Sequence, residues 1–200
     1  MQMLYNIFFA SSNENKFKEA KNILSRFGIK LKFLKCNLEE IQSDNLEYIA
    51  RQKANQAFSL CSKAVIVEDD GLFINSLKGF PGSYSSFIFR TIGNKGILRL
   101  VSKDRTASFR SIIAYCEKEG DVMLFDACVT GKISKKIFGT KWGYDPIFIP
   151  SSQAKTYSQL KNKDIVSHRY LALKKFANWY LHSRQSNGTQ ASSGSAIQLS

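Results

Sequence analysis

Four short segments of this 200-residue chain gather residue types suited to a charged, aromatic ligand. The first is Ser11-Ser12-Asn13-Glu14-Asn15-Lys16, where an apolar run gives way to helical spacing. A helix start offers unpaired N–H groups and partial positive charge, so hydroxyl, amide and ammonium groups there can cradle a phosphate. The same residues also make an ordinary N-cap with a solvated lysine, and they lack the glycine spacing of a P-loop. The second is Glu68-Asp69-Asp70-Gly71, directly after Val65-Ile66-Val67. Three adjacent carboxylates repel one another unless a cation sits among the oxygens, and hard oxygen ligands at a strand end suit Mg²⁺ held partly by substrate phosphates. A solvated acidic turn is the competing reading.

The third segment, Trp142-Gly143-Tyr144-Asp145-Pro146, places aromatic faces beside a carboxylate. An aromatic face stacks a nucleobase for ~1–3 kcal/mol, and a carboxylate accepts from ring N–H groups. An aromatic loop packed into a core has the same composition. The fourth is Ser167-His168-Arg169 at a helix start, with Lys163 just upstream. Donors converge there, as recognition of carbonyl or phosphate oxygens requires.

The elements that must position these residues follow from hydrophobic periodicity. Residues 4–10 read as a buried strand. Residues 13–27 switch to helical spacing, with Phe17, Ala20, Leu24 and Phe27 on one face and Gly28 as stop. A strand over 29–34, a helix over 46–60 through Leu46, Ile49, Lys53, Ala57 and Leu60, and a short strand over 64–67 come next. Gly79-Phe80-Pro81-Gly82 is a loop, and 83–101 reads as two short helices broken near Gly93 and Gly96. Two strands, 107–116 and 122–133, flank a hairpin turn at Glu119-Gly120-Asp121. Ser167 caps a last helix over 167–182 whose face is Leu173, Phe176, Ala177, Tyr180 and Leu181. Residues 185–200 carry no charge and no aromatic ring, so the sequence predicts one domain over 1–184 and a disordered tail.

Composition sets the limits. At 44% hydrophobic and 22% charged the chain has material for a sizeable core. Its net charge of +13 is concentrated late: residues 130–184 hold eleven Lys and Arg against Asp145 and Asp164. That half attracts anions, whether polyphosphate, nucleic acid or acidic membrane. Cys36, Cys61, Cys116 and Cys128 show no metal-ligand spacing and read as thiols of a reducing compartment. With no leader-like start and no run of about 20 apolar residues, a cytoplasmic protein without a membrane partner is expected.

Taken in order, these segments resemble the inosine triphosphate pyrophosphatase family from about residue 7 to about residue 180. The most specific pieces are Ser11-x-Asn13-x-x-Lys16, Glu68-Asp69-Asp70-Gly71-Leu72 with Gly79-x-Pro81-Gly82-x-Tyr84-Ser85, Gly143-Tyr144-Asp145-Pro146, and Ser167-His168-Arg169. The resemblance implies hydrolysis of ITP, dITP or XTP to the monophosphate and pyrophosphate. It also implies an elongated two-lobed α/β domain, with a long mixed β-sheet flanked by helices and the cleft between the lobes, usually as a homodimer with no stable nucleic-acid partner. By resemblance Ser11, Asn13, Lys16 and Lys53 hold the triphosphate, and Glu40 and Asp69 surround Mg²⁺. Asp69 is also the base that activates water, and Asp70 lies beside it among the substrate-binding residues. Trp142 lies against the purine, while Tyr144, Asp145, Lys163, His168 and Arg169 shape and read its edge. Donors such as Arg169 and Lys163 satisfy a 6-keto oxygen but face a 6-amino group badly. The chain departs from the family at Asp70, where Ser or Thr is usual, at Trp142, where Phe is common, at Asp164, where Asn is common, and near Phe87, where many members carry an Arg.

Two other readings compete. A Maf-like nucleoside triphosphate pyrophosphatase would act on other bases. A basic nucleic-acid-binding module would use the late Lys and Arg residues for phosphates and Trp142 and Tyr144 for bases, but it leaves Glu40 and the 68–70 acids unexplained, since carboxylates in a groove oppose a polyanion.

Overall fold

A computed structural model describes residues 6–193 of the chain, with side chains over 7–185. Its frame is one mixed sheet in the order β2-β1-β3-β5-β6-β7, with β4 paired to β3. β1 (Asn6–Ser11) runs parallel to β2 (Lys30–Lys35) on one side and to β3 (Val65–Ile74) on the other. β4 (Pro81–Gly82), β5 (Thr106–Lys118), β6 (Asp121–Ile133) and β7 (Phe148–Pro150) add antiparallel neighbours. The two long strands β5 and β6 meet at Glu119-Gly120, where Gly120 has φ +77. That is the turn the sequence predicts, in a conformation glycine adopts without steric cost.

Side chains alternate across the sheet with the period of two that strands impose. Ile66, Ile113, Tyr115, Phe125 and Ala127 point to one face, under α1 (Glu14–Ser25) and α5 (His168–Ser193). Val65, Val67, Ile112, Ala114 and Cys116 point to the other, under α2 (Leu46–Cys61). Ala50, Ala54 and Ala57 line the inner face of α2, and such small side chains let the helix lie close to the strands. Beyond this double layer the far ends of β3, β5 and β6 run into a second lobe, where Leu72, Ile74, Phe109 and Ile133 pack with Ile97 and Phe148. α3 (Ser85–Thr91) and α4 (Gly93–Leu100) belong to that lobe. The elongated two-lobed form follows from three strands longer than one helical layer can cover.

Caps fix the helices that carry the predicted segments. The Asn13 side chain accepts from the backbone N–H groups of Asn15 and Lys16 at the start of α1, and Asn45 does the same for Glu47 and Tyr48 on α2. Ser167 accepts from the N–H of Tyr170 at 3.1 Å, the predicted cap of α5. The apolar face of α5 is buried through Leu173, Phe176, Ala177 and Tyr180.

Two expectations need correction. β3 does not stop at residue 67 before an acidic turn. It continues to Ile74 because β5 pairs with it from Val65↔Cys116 to Ile74↔Ala107, so Glu68, Asp69 and Asp70 lie inside a strand. The last helix does not end at residue 182 either. Its backbone stays helical to Ser193, since extending an existing helix adds a hydrogen bond per residue without a new nucleus and no proline intervenes. Of the predicted tail, residues 194–200 lie outside the described residues, as do Leu4 and Tyr5 of the first predicted strand. Among the described residues, no helix is long and apolar enough to cross a membrane.

Gly71 sits where β3 and β4 close on each other. A Cβ there would lie 2.5 Å from the carbonyl oxygen of Gly82 and 3.0 Å from Cε2 of Phe73, so backbone would have to move. Gly71→Ala is expected to cost about 1–3 kcal/mol of stability, read as a lower urea midpoint at unchanged slope. An unchanged midpoint would show that the approach of the two strands is not tight.

Candidate active site

The sheet reverses its winding at β1: the chain leaves β1 through α1 to β2 on one side and returns through α2 to β3 on the other, with the two helices on opposite faces. Ligands of open α/β sheets bind at such a switch point, beyond the carboxyl ends of the parallel strands. Here Ser11 ends β1, and the acids of β3 follow its last parallel pairing at Ile66. A cavity of about 1310 Å³ opens at this place. Every residue predicted from the sequence lines it except Lys163, which stands just behind.

Strand alternation sorts the three acids. Asp69 points to the α2 face, where Lys53 projects from the otherwise apolar inner side of α2. The Lys53 ammonium lies 2.7 Å from Oε1 of Glu40 and 3.1 and 3.0 Å from Oδ1 and Oδ2 of Asp69. Burial pushes the Asp69 carboxyl up, against the pull of Lys53 and Lys16. Its Oδ2 is buried and takes no hydrogen bond.

Glu68 and Asp70 point to the opposite face, and both meet Arg169. The guanidinium is 1% exposed. Nε donates to Glu68 at 2.7 and 3.0 Å, Nη1 to Glu19 at 2.5 Å and Nη2 to Asp70 at 2.7 Å. Ser111 donates to Glu68 from behind at 2.9 Å. Burial works against each ionised group here, but the pairing outweighs it: Lys16 and Arg169 hold Asp70 well below the ordinary aspartate value. Glu19, facing Arg169 and Lys163, is held down at about 2. Lys16 is raised above the usual lysine value by Asp70, Glu68 and Asp69.

Glu19 is the residue that sequence reasoning missed. It accepts from Nε1 of Trp142 at 2.8 Å, from Lys163 at 2.9 Å and from Arg169, and so ties α1 to the aromatic loop and to α5. A signal was available: Asn13, Lys16 and Glu19 recur every three residues, which puts them on neighbouring positions of one helix face. Trp142 carries Lys163 Nζ at 5.5 Å and Arg169 Cζ at 5.2 Å over its ring, cation–π contacts that orient the indole. Lys163 also grips Asp145 at 2.6 Å. Tyr144 is buried, donates to the carbonyl of Ser85 at 2.9 Å and packs edge-on against Phe89, which shapes the pocket wall. The His168 ring stacks on Phe109 at 4.0 Å, and its Nε2 is 3.9 Å from Asp70, beyond hydrogen-bond reach. Burial pushes the imidazole below its usual value, and neither ring nitrogen has a hydrogen-bond partner.

The phosphate cradle differs from expectation in one respect. The N–H groups of Asn15 and Lys16 are capped by Asn13, and that of Asn13 is taken by Ser11 Oγ at 3.0 Å. A capped helix start leaves side chains, chiefly the Lys16 ammonium, to meet a phosphate. Near Phe87, where an Arg was missing from the sequence pattern, α3 brings Arg90 to the cavity wall one turn later.

The donor set fits a divalent cation. Glu40 and Asp69 converge on the Lys53 ammonium, and Asp69 Oδ2, 3.0 Å from it, takes no hydrogen bond. Around the cleft, Glu19, Glu40, Glu68, Asp69, Asp70 and Asp145 pair with Lys16, Lys53, Lys163 and Arg169, while Arg90 and Lys141 also line the wall. No three His, Cys, Asp or Glu side chains gather as a complete ligand group among the described residues. One or two carboxylates, with the remaining ligands from phosphates and water, is the usual environment of Mg²⁺.

Comparison with known proteins agrees with the resemblance read from the sequence. The chain is 44% identical over 179 residues to the dITP/XTP pyrophosphatase of Methanopyrus kandleri, covering 87% of this chain and 95% of that one. It is 42% identical over 178 residues to the dITP/XTP pyrophosphatase of Pyrococcus horikoshii, covering 86% and 95%. The solved structure of a HAM1 protein from Coxiella burnetii superposes with a TM-score of 0.76 at 27% identity, covering 90% of this chain and all of that one. The sequence pattern of the Ham1 family matches residues 7–179, and the chain therefore belongs to the Ham1 family.

Proposed function

We propose that this chain hydrolyses purine nucleoside triphosphates with a 6-keto base, namely ITP, dITP and XTP, to the monophosphate and pyrophosphate. The observation that carries the reading is the division of the cavity. One end holds carboxylates and lysines suited to a metal-bound triphosphate, and the other holds aromatic rings and buried donors suited to a base. The names of the relatives support the same substrate class.

Lys16 and Lys53, with Ser11 and Asn13, bind the phosphates. Glu40 and Asp69 would hold Mg²⁺, which would supply neutralisation of the charge on the phosphate oxygens. Asp69 Oδ2, which takes no hydrogen bond, accepts a proton from water as the water oxygen bonds to the α-phosphorus. The α–β phosphoanhydride bond breaks, and the β-phosphate oxygen leaves with pyrophosphate. A base so placed contributes about 10²–10⁴-fold. At the other end the purine lies against the indole of Trp142, which lines the cavity. Arg169 keeps unused N–H groups on Nη1 and Nη2, and Lys163 keeps one, for a 6-keto oxygen. The neutral His168 ring, with both nitrogens open, supplies one donor and one acceptor, while Asp145 and Tyr144 fix the wall. A 6-amino group would leave buried donors unpaired, which is the basis of discrimination against ATP.

The same reading includes a homodimer in the cytoplasm. Phe80, Tyr84, Phe87 and Ile92 form an exposed apolar run along α3 and the loop before it, with Phe87 57% exposed, and the four cysteines are free. A second copy is the occupant that a self-complementary contact would bring.

A screen of nucleoside triphosphates for pyrophosphate release should rank ITP, dITP and XTP above ATP in the presence of Mg²⁺. Asp69→Asn should lower kcat by at least about 10²-fold at an unchanged melting temperature. Near-normal turnover of this variant would remove Asp69 from the chemistry.

Glu19 gives a pH-dependent test of how the base pocket is held. Its carboxyl sits near 2 instead of 4.5, so its contribution to stability is full above about pH 4.5 and is lost as pH falls toward 2. Glu19→Gln is expected to cost about 1–3 kcal/mol at neutral pH, and the gap from the parent protein should close between pH 4.5 and 2 in urea titrations. A gap independent of pH would mean that packing, and not charge, is what Glu19 contributes.

Sedimentation should give a dimer that Phe87→Ser weakens. A monomer at micromolar concentration in the parent protein would sink the dimer proposal.

A further inference from the structure

Asp70 stands between the two ends of the cavity. Its Oδ1 is 3.0 Å from the Lys16 ammonium on α1, and its Oδ2 is 2.7 Å from Arg169 Nη2 on α5. The side chain is 16% exposed, so solvent does little to screen either contact. The two cations depend on it unequally. Arg169 has Glu68 and Glu19 as further carboxylate partners, whereas Lys16 has a longer contact, 3.4 Å to the backbone oxygen of Glu68. Lys16 is therefore the partner that an incoming anion can take away, and Arg169 is the one that stays.

We propose that Asp70 is a shared counter-ion that sets affinity against selectivity: it withholds Lys16 from phosphate in the empty cleft and fixes Arg169 Nη2 for reading the base. This inference rests on the proposed function, in which Lys16 meets the triphosphate and Arg169 meets the purine. Phosphate oxygens draw the Lys16 ammonium away from Oδ1. Asp70 then has Arg169 as its remaining close cation, so filling the phosphate end firms the donor that reads the base. The carboxylate weakens phosphate binding through the competition it offers, and it narrows base choice through the orientation it imposes. A merely structural residue would give neither a gain in affinity nor a split between the two quantities.

Two variants separate these effects. Asp70→Ser removes both contacts, whereas Asp70→Asn removes the charge but leaves an oxygen able to accept from Arg169. Inorganic tripolyphosphate, measured by calorimetry in metal-free buffer, should bind both variants about tenfold more tightly than the parent protein. The ratio of kcat/KM for ITP over ATP should fall about tenfold in Asp70→Ser and less in Asp70→Asn. In a Lys16→Met background the gain in tripolyphosphate affinity on adding Asp70→Ser should vanish, because the competition runs through Lys16. Unchanged or weaker tripolyphosphate binding, persistence of the gain without Lys16, or an unchanged ITP-to-ATP ratio in Asp70→Ser would each overturn the proposal. If Asp70→Ser shows no cooperative melt, Asp70→Asn carries both measurements. A parent protein that releases no pyrophosphate from any purine triphosphate would overturn the hydrolase reading instead, and the tripolyphosphate comparison would still judge Asp70.

Discussion

A guanidinium removed from water must be matched by charge and by hydrogen bonds, and the cleft is organised around that requirement at Arg169. Burying a single ion costs several kcal/mol even after relaxation, so the group persists only because Glu68, Glu19 and Asp70 meet it from three directions. The three carboxylates come from β3 and α1, and the arginine from the first turn of α5, so one side chain fixes the mutual position of sheet and both helices. Removing a single partner of such a cluster typically costs about 3–5 kcal/mol, because it strands charge in a dry place. The position of His168 on Phe109 and the hold of Glu19 on Trp142 and Lys163 both depend on this arrangement.

The period of the strand explains how a chain can tolerate three successive acids without a turn to solvate them. Alternation places Glu68 and Asp70 on the face of α1 and α5, where they share Arg169, and sends Asp69 alone to the face of α2, where Lys53 waits. Each side then has a cation within salt-bridge distance, and the like charges are separated by the sheet itself. The same alternation brings Asp69 and Lys53 together on one face of β3 and gathers Glu68, Asp70 and Arg169 on the other, so the pairing of the acids follows from a backbone property.

Some of this was legible in the sequence. The acidic run, the aromatic loop, the helix cap at Ser167 and the strand-to-helix opening unit all announce themselves through local pattern, whereas the role of Lys53, one position in the spacing of its helix, came from the family resemblance. The length of β3 was not legible, because its edge is completed by β5, whose residues lie some forty positions later in the register Glu68↔Ile113. Glu19 was hidden for a related reason. An acid on an amphipathic helix reads as solvated until the loop at Trp142 and the helix at Arg169 fold over it. The helical backbone past Gln185 is the opposite case, where composition favours disorder but an already formed helix extends at little cost.

Charge acts on two length scales. Over the whole molecule the net charge is +13, and a field of that sign draws anions toward the surface from beyond contact distance. Solvent ions screen it within about 8–10 Å, so the last approach is governed by the cleft, where Lys16, Lys53, Lys163 and Arg169 are already paired with carboxylates and Arg90 and Lys141 also line the wall. A polyphosphate drawn from afar therefore meets cations that it must share with Glu40, Asp69, Asp70 and their neighbours. A divalent cation arriving with the substrate would meet Glu40 and Asp69 and ease that competition, which fits an anionic substrate that enters in company with metal.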